Sequence, residues 1–329
     1  MLETNIHSLD ITNMLAQISV SPPHPSLIRR NALRAQLVDR VMALIGTEAS
    51  FSTSIPGVTL YRYVAPTVPD PVTYEPSVAV VLQGKKRVML GHTRFDYDAS
   101  HFLLTSIDLP VTSQVVEASA ETPYLCIRLK FDIGVVREML GRASGVVAGT
   151  NSSAPGMTTS ETTAEMLDAF ARLIDLQNVP GEIAFMGALI EREIIFRVLQ
   201  SAEGQRLRAI ATLGDNSQRT AKAVEWIRDH FTEPLRMEEL AQVACMGVST
   251  LHHHFRIVTS MTPLQYQKKL RLHEARRRML TDGMDAASAG FEVGYESASQ
   301  FNREYSRAFG KPPLRDVRSL LAAAGGPAS

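Results

Sequence analysis

The chain has 329 residues, 34 Lys+Arg against 34 Asp+Glu, 45% apolar and 21% charged side chains. Such a composition belongs to a folded globular protein and excludes disorder over the whole length. At roughly 150 residues per domain the length suggests about two domains. The longest apolar run, near Ala184–Ile190, is far short of the roughly 20 residues a bilayer span requires. The first thirty residues carry Glu3, Asp10 and prolines and no apolar signal-peptide core, so a cytoplasmic protein without a membrane partner is expected. Two cysteines, Cys126 and Cys245, cannot build a disulfide framework or a zinc knot. Neutrality taken alone weighs against nucleic acid, which asks for a basic surface. The total hides an uneven spread: residues 219–318 hold 16 Lys+Arg against 12 Asp+Glu, and residues 1–218 hold 18 against 22. Five of the nine histidines (His230, His252, His253, His254 and His273) also lie in the basic stretch.

In chain order, residues 1–50 form an N-terminal helical segment. Helix is expected in two pieces over 9–46, broken at Pro22, Pro23 and Pro25, with Leu33, Leu37, Val41 and Leu44 as an amphipathic stripe. Over 51–142 the period changes. Short β-branched and aromatic runs at Val58–Val64, Val78–Gln83, Arg87–Gly91, Thr93–Tyr97, His101–Ser106, Gln114–Glu117 and Tyr124–Phe131 predict an antiparallel sandwich or barrel. Residues 143–160, rich in Gly, Ala, Ser and Thr, read as a flexible connection. Residues 161–213 return to helical periodicity (Met166, Phe170, Leu173, Ile174, then Ile183, Met186, Ile190, Ile194, Val198). These helices either cover the parent sheet or pair with a second subunit. Residues 216–318 are helical throughout, and 319–329 form a tail.

Within the helical region two short helix pairs repeat. In Met237–Val258, Leu240, Val243 and Ala244 make a first apolar stripe. Gly247 is placed to supply a positive φ, Val248 to plug the turn, and Ser249 to cap the next helix. Leu251, Phe255 and Val258 then share a buried face, and Ser249, Thr250, His252, His253 and Arg256 lie outward or at its flanks. Cys245 falls among apolar positions and is expected in the core. In Asp285–Gly310, Ala286, Ala289 and Val293 pack inward, Gly294 turns, Tyr295 plugs and Ser297 caps. Phe301, Tyr305 and Ala308 face the core, leaving Glu296, Ser299, Gln300, Asn302, Arg303, Ser306 and Arg307 outward or flanking. A helix, a turn and a second helix with donor-rich outward residues suits a recognition helix in the DNA major groove. The alternative is a pair of ordinary αα-hairpins with solvated faces. His252, His253 and His254 project about 100° apart on one helix and cannot converge on one metal ion. Between the pairs, Pro263–Leu280 predicts a long helix carrying Arg276, Arg277 and Arg278, a basic run suited to solvent or to phosphate contact.

These residues carry a resemblance. Thr262–Leu280 (TPLQYQKKLRLHEARRRML), Gly290–Ser297 (GFEVGYES) and Gln300–Pro313 (QFNREYSRAFGKPP) resemble the DNA-binding domain of the AraC/XylS family of bacterial transcription regulators. Leu314–Val317 stand where the family usually has an aromatic. Ile55–Thr67, Glu75–Gly91 and Ser106–Ser119 are similar to the sensor domain of one branch of that family. The resemblance implies an α+β chain: a cupin-like antiparallel barrel with flanking helices, then an all-α domain with two helix-turn-helix motifs. It also implies double-stranded promoter DNA, a small-molecule effector, RNA polymerase and a second copy of the chain as partners.

An enzyme of the cupin type fused to a DNA-binding module is the alternative function. Metal-binding cupins need an H-x-H with a following Glu and a later His. Here His92 and His101 stand isolated, and no nucleophile elbow is evident. No catalytic residue, metal or cofactor is therefore expected. On strand Tyr124–Phe131 alternation sets Tyr124, Cys126, Arg128 and Lys130 on one face. If that face lines the barrel, Cys126 and Arg128 are ligand-site candidates, with Arg128 lowering the thiol pKa for a sensor role. A small packed residue is the commoner use of a lone cysteine.

Overall fold

A computed structural model describes residues 25–142, 155–212 and 215–324. The earlier of the two expected N-terminal helical pieces lies outside these residues. The later one is α1 (Pro25–Ile45), which buries Leu37, Val41 and Ile45 at spacings of four. Nine strands follow: β1 (Ser50–Ser52), β2 (Val58–Tyr63), β3 (Asp70–Tyr74), β4 (Ser77–Gln83), β5 (Lys85–Leu90), β6 (Thr93–Asp98), β7 (His101–Thr105), β8 (Leu109–Glu117) and β9 (Tyr124–Lys130). After α2 (Ile133–Arg142) comes β10 (Met157–Glu161), which pairs antiparallel with β7. It stands where the small-residue composition had suggested a loop. The sheets run β1-β2-β9-β4-β7-β10 and β3-β8-β5-β6.

The two sheets face each other, and alternation divides their side chains between two cores. Leu125, Ile127 and Leu129 of β9, Val78, Val80 and Leu82 of β4, and Phe102 and Leu104 of β7 join a cluster with α1, α3 (Ala164–Asp175) and α4 (Ala188–Gln200). Tyr124 and Cys126 of β9, Val81 of β4 and Leu103 of β7 turn the other way, towards Val88, Leu90 and Tyr97 of the smaller sheet. The helices after the barrel thus pack on its outer face. Phe170 of α3 is fully buried there, a burial that contributes roughly 1.5–3 kcal/mol. Besides β10, two strands escaped the sequence reading. β1 has three residues, and β3 holds a proline, which an edge strand tolerates because no ladder hydrogen bond is needed on its free side.

The remainder is helical: α5 (Gly204–Ala211), α6 (Asn216–Asp229), α7 (Met237–Val243), α8 (Val248–Thr259), α9 (Pro263–Thr281), α10 (Ala286–Glu292), α11 (Ala298–Phe309) and α12 (Pro313–Ala324). Thr262 caps α9 in a full capping box with Gln265. α12 continues into residues expected as a tail.

Candidate nucleic-acid interface and barrel interior

α7 and α8 form the first helix pair. Leu251, Phe255 and Val258 are fully buried, and Ser249, Thr250, His252, His253 and Arg256 are exposed. His252, His253 and Arg256 line a shallow groove with Ile257 and Thr262. The turn differs from expectation. Gly247 has φ −69°, and the left-handed residue is Cys245 at φ 51°, which is exposed rather than core. The helix starts at Val248, so Gly247 is its N-cap and Ser249 lies inside the first turn without capping. Val248 is exposed rather than plugging the turn.

α10 and α11 form the second pair and follow the sequence reading more closely. Gly294 has φ +91°, and a Cβ there would collide with the Thr232 carbonyl oxygen. Tyr295 is buried, and the Ser297 hydroxyl accepts from the Gln300 amide. Glu296, Ser299, Gln300, Asn302, Arg303 and Arg307 are exposed and Ser306 is half-buried. Ala308 is exposed, and its expected core place is taken by half-buried Phe309, whose ring stacks near Tyr305. Among the described residues Arg256, Arg303 and Arg307 make no ion pair, which leaves three guanidinium groups available to an outside acceptor.

The connector α9 behaves differently. Arg276 is buried between Asp316 and Asp70, at 2.9 and 2.7 Å. Arg277 and Arg278 both pair with Glu274, and Arg278 also reaches Glu292. Arg276 is thus taken out of reach of phosphate, while Arg277 and Arg278 stay at the surface in internal ion pairs. Arg271 donates to the carbonyls of Phe231, Glu233 and Gly294 and so ties the second turn to the connector. The sequence reading missed this role, because arginine-to-carbonyl contacts have no local spacing signal.

The helical part rests on the barrel. The Tyr266 hydroxyl donates to the Asp108 carbonyl at 2.8 Å, and Arg228 pairs with the Asp108 carboxylate at 2.7 Å. Burial holds Asp108 above its ordinary pKa, opposed by Arg228. The Gly156 amide donates to the carbonyl of Val258 on α8. Gly91 lies so close to Ser260 that a Cβ would stand 2.7 Å from its carbonyl oxygen. His273 contacts Thr73 of β3, and burial pulls its pKa down to about 3.

Inside the barrel Tyr97, Tyr124 and Cys126 are buried, while Tyr61, Tyr63, Tyr74, Lys86 and Arg128 are half-buried. Of the two faces of β9, the one that carries Tyr124, Cys126 and Arg128 therefore turns into the barrel. The expected thiol activation is not found: burial pushes Cys126 up, against smaller opposing effects of Lys86 and Arg128. A buried thiol with a raised pKa is poorly suited to sensing oxidants or electrophiles.

A two-sheet barrel carrying helices on its outer face is thus joined to two helix-turn-helix pairs. Residues 54–206 match the AraC-type transcriptional regulator N-terminus, and residues 240–319 match a helix-turn-helix domain. In both of these stretches the chain is similar to AraC-type transcriptional regulators. It is 28% identical over 130 residues to the HTH-type transcriptional regulator ArgR of Pseudomonas aeruginosa, covering 40% of each protein. It is also 28% identical over 153 residues to the HTH-type transcriptional activator RhaS of Salmonella arizonae, covering 46% of this chain and 54% of the relative. The chain thus matches about half or less of the length of these curated relatives. In fold it is similar to ToxT of Vibrio cholerae, solved with an unsaturated fatty acid bound. The TM-score there is 0.53 at 11% identity, over 79% of this chain and 94% of ToxT. Among the described residues no helix is long and apolar enough to cross a membrane.

Proposed function

We propose that this chain is a sequence-specific, DNA-binding transcription regulator rather than an enzyme, working in the cytoplasm on double-stranded promoter DNA. The observation that carries the reading is the pair of helices α8 and α11. Each is anchored by fully buried aromatic or aliphatic residues and turns outward a row of hydrogen-bonding side chains free of internal ion pairs. Arg256 and Arg303 are the guanine-reading candidates. His252, His253, Gln300 and Asn302 add donors or acceptors to base edges, and Ser249, Thr250, Ser297, Ser299, Ser306 and Arg307 are suited to base or phosphate. Glu296 is suited to a cytosine amino group.

The barrel is read as the sensor for a small-molecule effector, in keeping with the ToxT-like fold, and RNA polymerase as a further partner of the bound regulator. A second copy of the chain is the partner that suits Phe185, Leu189 and Phe196, large apolar residues exposed along α4 and the turn before it. Selection of duplexes from a random pool by the full chain tests the central reading. A consensus should emerge, with affinity falling as salt rises. Arg303→Ala should cost about 1–3 kcal/mol on that consensus and little on unrelated duplexes. Recovery of no consensus would contradict the proposal.

A further inference from the structure

The barrel interior holds two cations that its own carboxylates leave unneutralised. Lys86 reaches in from β5, and its ammonium stands 5.8, 5.6 and 5.7 Å from the ring centres of Tyr61, Tyr74 and Tyr124. Arg128, from β9 on the opposite sheet, stands 5.6 Å from the same Tyr61 ring. The neighbouring cations on these strands are all paired: Lys85 with Glu117, Arg87 with Asp96 and Lys130 with Glu75. Among the described residues no carboxylate forms an ion pair with Lys86 or Arg128. Ring faces attract cations, but weakly against the cost of taking an ammonium out of water. The pattern is therefore selective: β5 and β9 neutralise every cation except the two aimed into the barrel.

A further polar atom in the same place is unsatisfied. The Arg128 Nε is buried and lacks a hydrogen-bond partner among the described residues, where the one hydrogen bond of the Arg128 guanidinium is a long one of 3.4 Å to the Thr59 hydroxyl. Its N–H can donate to an oxyanion, and a buried donor left unpaired is costly. Tyr61, Lys86 and Arg128 are half-buried, next to the buried Tyr124 and Cys126.

We propose that the barrel binds a small organic acid, its carboxylate set between Lys86 and Arg128 and its apolar body against the tyrosine rings. This names the effector class and rests on the reading of the barrel as the sensor. An acid supplies the missing charge and accepts from the orphaned Arg128 donor, and its body meets a wall that is aromatic rather than polar. A neutral ligand would leave both cations unpaired.

The test uses the full chain with benzoate, octanoate, inorganic phosphate and neutral benzamide, followed by calorimetry and thermal unfolding. At least one organic acid should bind and raise the unfolding temperature, and benzamide should do neither. Lys86→Met should weaken that binding about tenfold or more, and Arg128→Gln should weaken it independently. Lys85→Met, which alters a paired cation, should leave it unchanged. Without ligand, Lys86→Met should unfold at the same or a higher temperature, because it removes an unpaired charge. Three results would overturn the proposal: no organic acid binding at millimolar concentration, equal binding by wild type and both inward variants, or Lys86-dependent binding of phosphate alone. Duplex binding measured on the same samples separates this failure from failure of the regulator reading, since the duplex signal does not require the acid.

Discussion

The two helix-turn-helix pairs share one plan but are held by different neighbours. The first belongs to the barrel: Leu251, Phe255, Val258 and Tyr266 lie in one continuous core with Val88, Leu90, Tyr97 and Val111. The second has a core of its own, Leu272, Ala275, Val293, Phe301 and Tyr305, closed by Arg276, Asp316 and the Tyr305 hydroxyl. Among the described residues its polar ties to the barrel run through α9, Arg276 with Asp70 and His273 with Thr73. A change in the barrel therefore reaches α8 directly, through Val258 and Ser260, and reaches α11 only through α9. In such an arrangement occupancy of the sensor would alter how the two reading helices stand relative to each other.

The largest expected effects test that division. Phe255→Ala and Phe301→Ala should each cost about 3–5 kcal/mol of stability, as large-to-small core changes do. Hydrogen exchange should distinguish them. Phe255→Ala should loosen strands of the smaller sheet along with α8, and Phe301→Ala should loosen only α9 to α12. Loosening of the barrel by both variants would mean that the second core is not separate.

A smaller effect distinguishes the two turns. Ser297→Ala removes a true N-cap and should cost about 1 kcal/mol, whereas Ser249→Ala should change stability by less than about 0.5 kcal/mol. Chemical denaturation measures both. Equal costs would restore the sequence-based expectation that Ser249 caps α8.

A pH-dependent effect concerns the seam between barrel and connector. His273 is held neutral by burial, next by Lys269 and Arg276, with its pKa pulled from the ordinary 6.5 to about 3. Below 6.5 the unfolded chain takes up a proton that the folded chain refuses. Stability is therefore fully present above 6.5 and declines as pH falls towards 3. His273→Gln should flatten that part of the stability–pH curve. An unchanged slope in the variant would place the titrating group elsewhere.

Much of this architecture was legible in the sequence because it rests on local periodicity. Alternation in Tyr124–Phe131 separated the two faces of that strand without assigning which one turns inward, and Phe301, Tyr305, Gly294 and Ser297 stand in the second pair as their spacing implied. The first turn was misread because an ordinary residue, Cys245, takes the left-handed conformation beside an available glycine. Charge was the least legible quantity. Arg276 looks like its neighbours in sequence but is buried by Asp70 and Asp316, far away along the chain. Lys85, Lys86 and Arg87 are consecutive cations in the sequence. A register irregularity between Lys85 and Lys86 in the pairing with β8 accompanies the difference in their surroundings. Long-range pairing and bulges of this kind leave no periodic trace.

The central claim, that α8 and α11 each read DNA, is tested most directly by hydroxyl-radical footprinting of the full chain on its selected duplex. The account expects two protected stretches about one helical turn, roughly 34 Å, apart per bound chain. Arg256→Ala should weaken protection in one stretch and Arg303→Ala in the other. A single protected stretch, or loss of the same stretch in both variants, would contradict it.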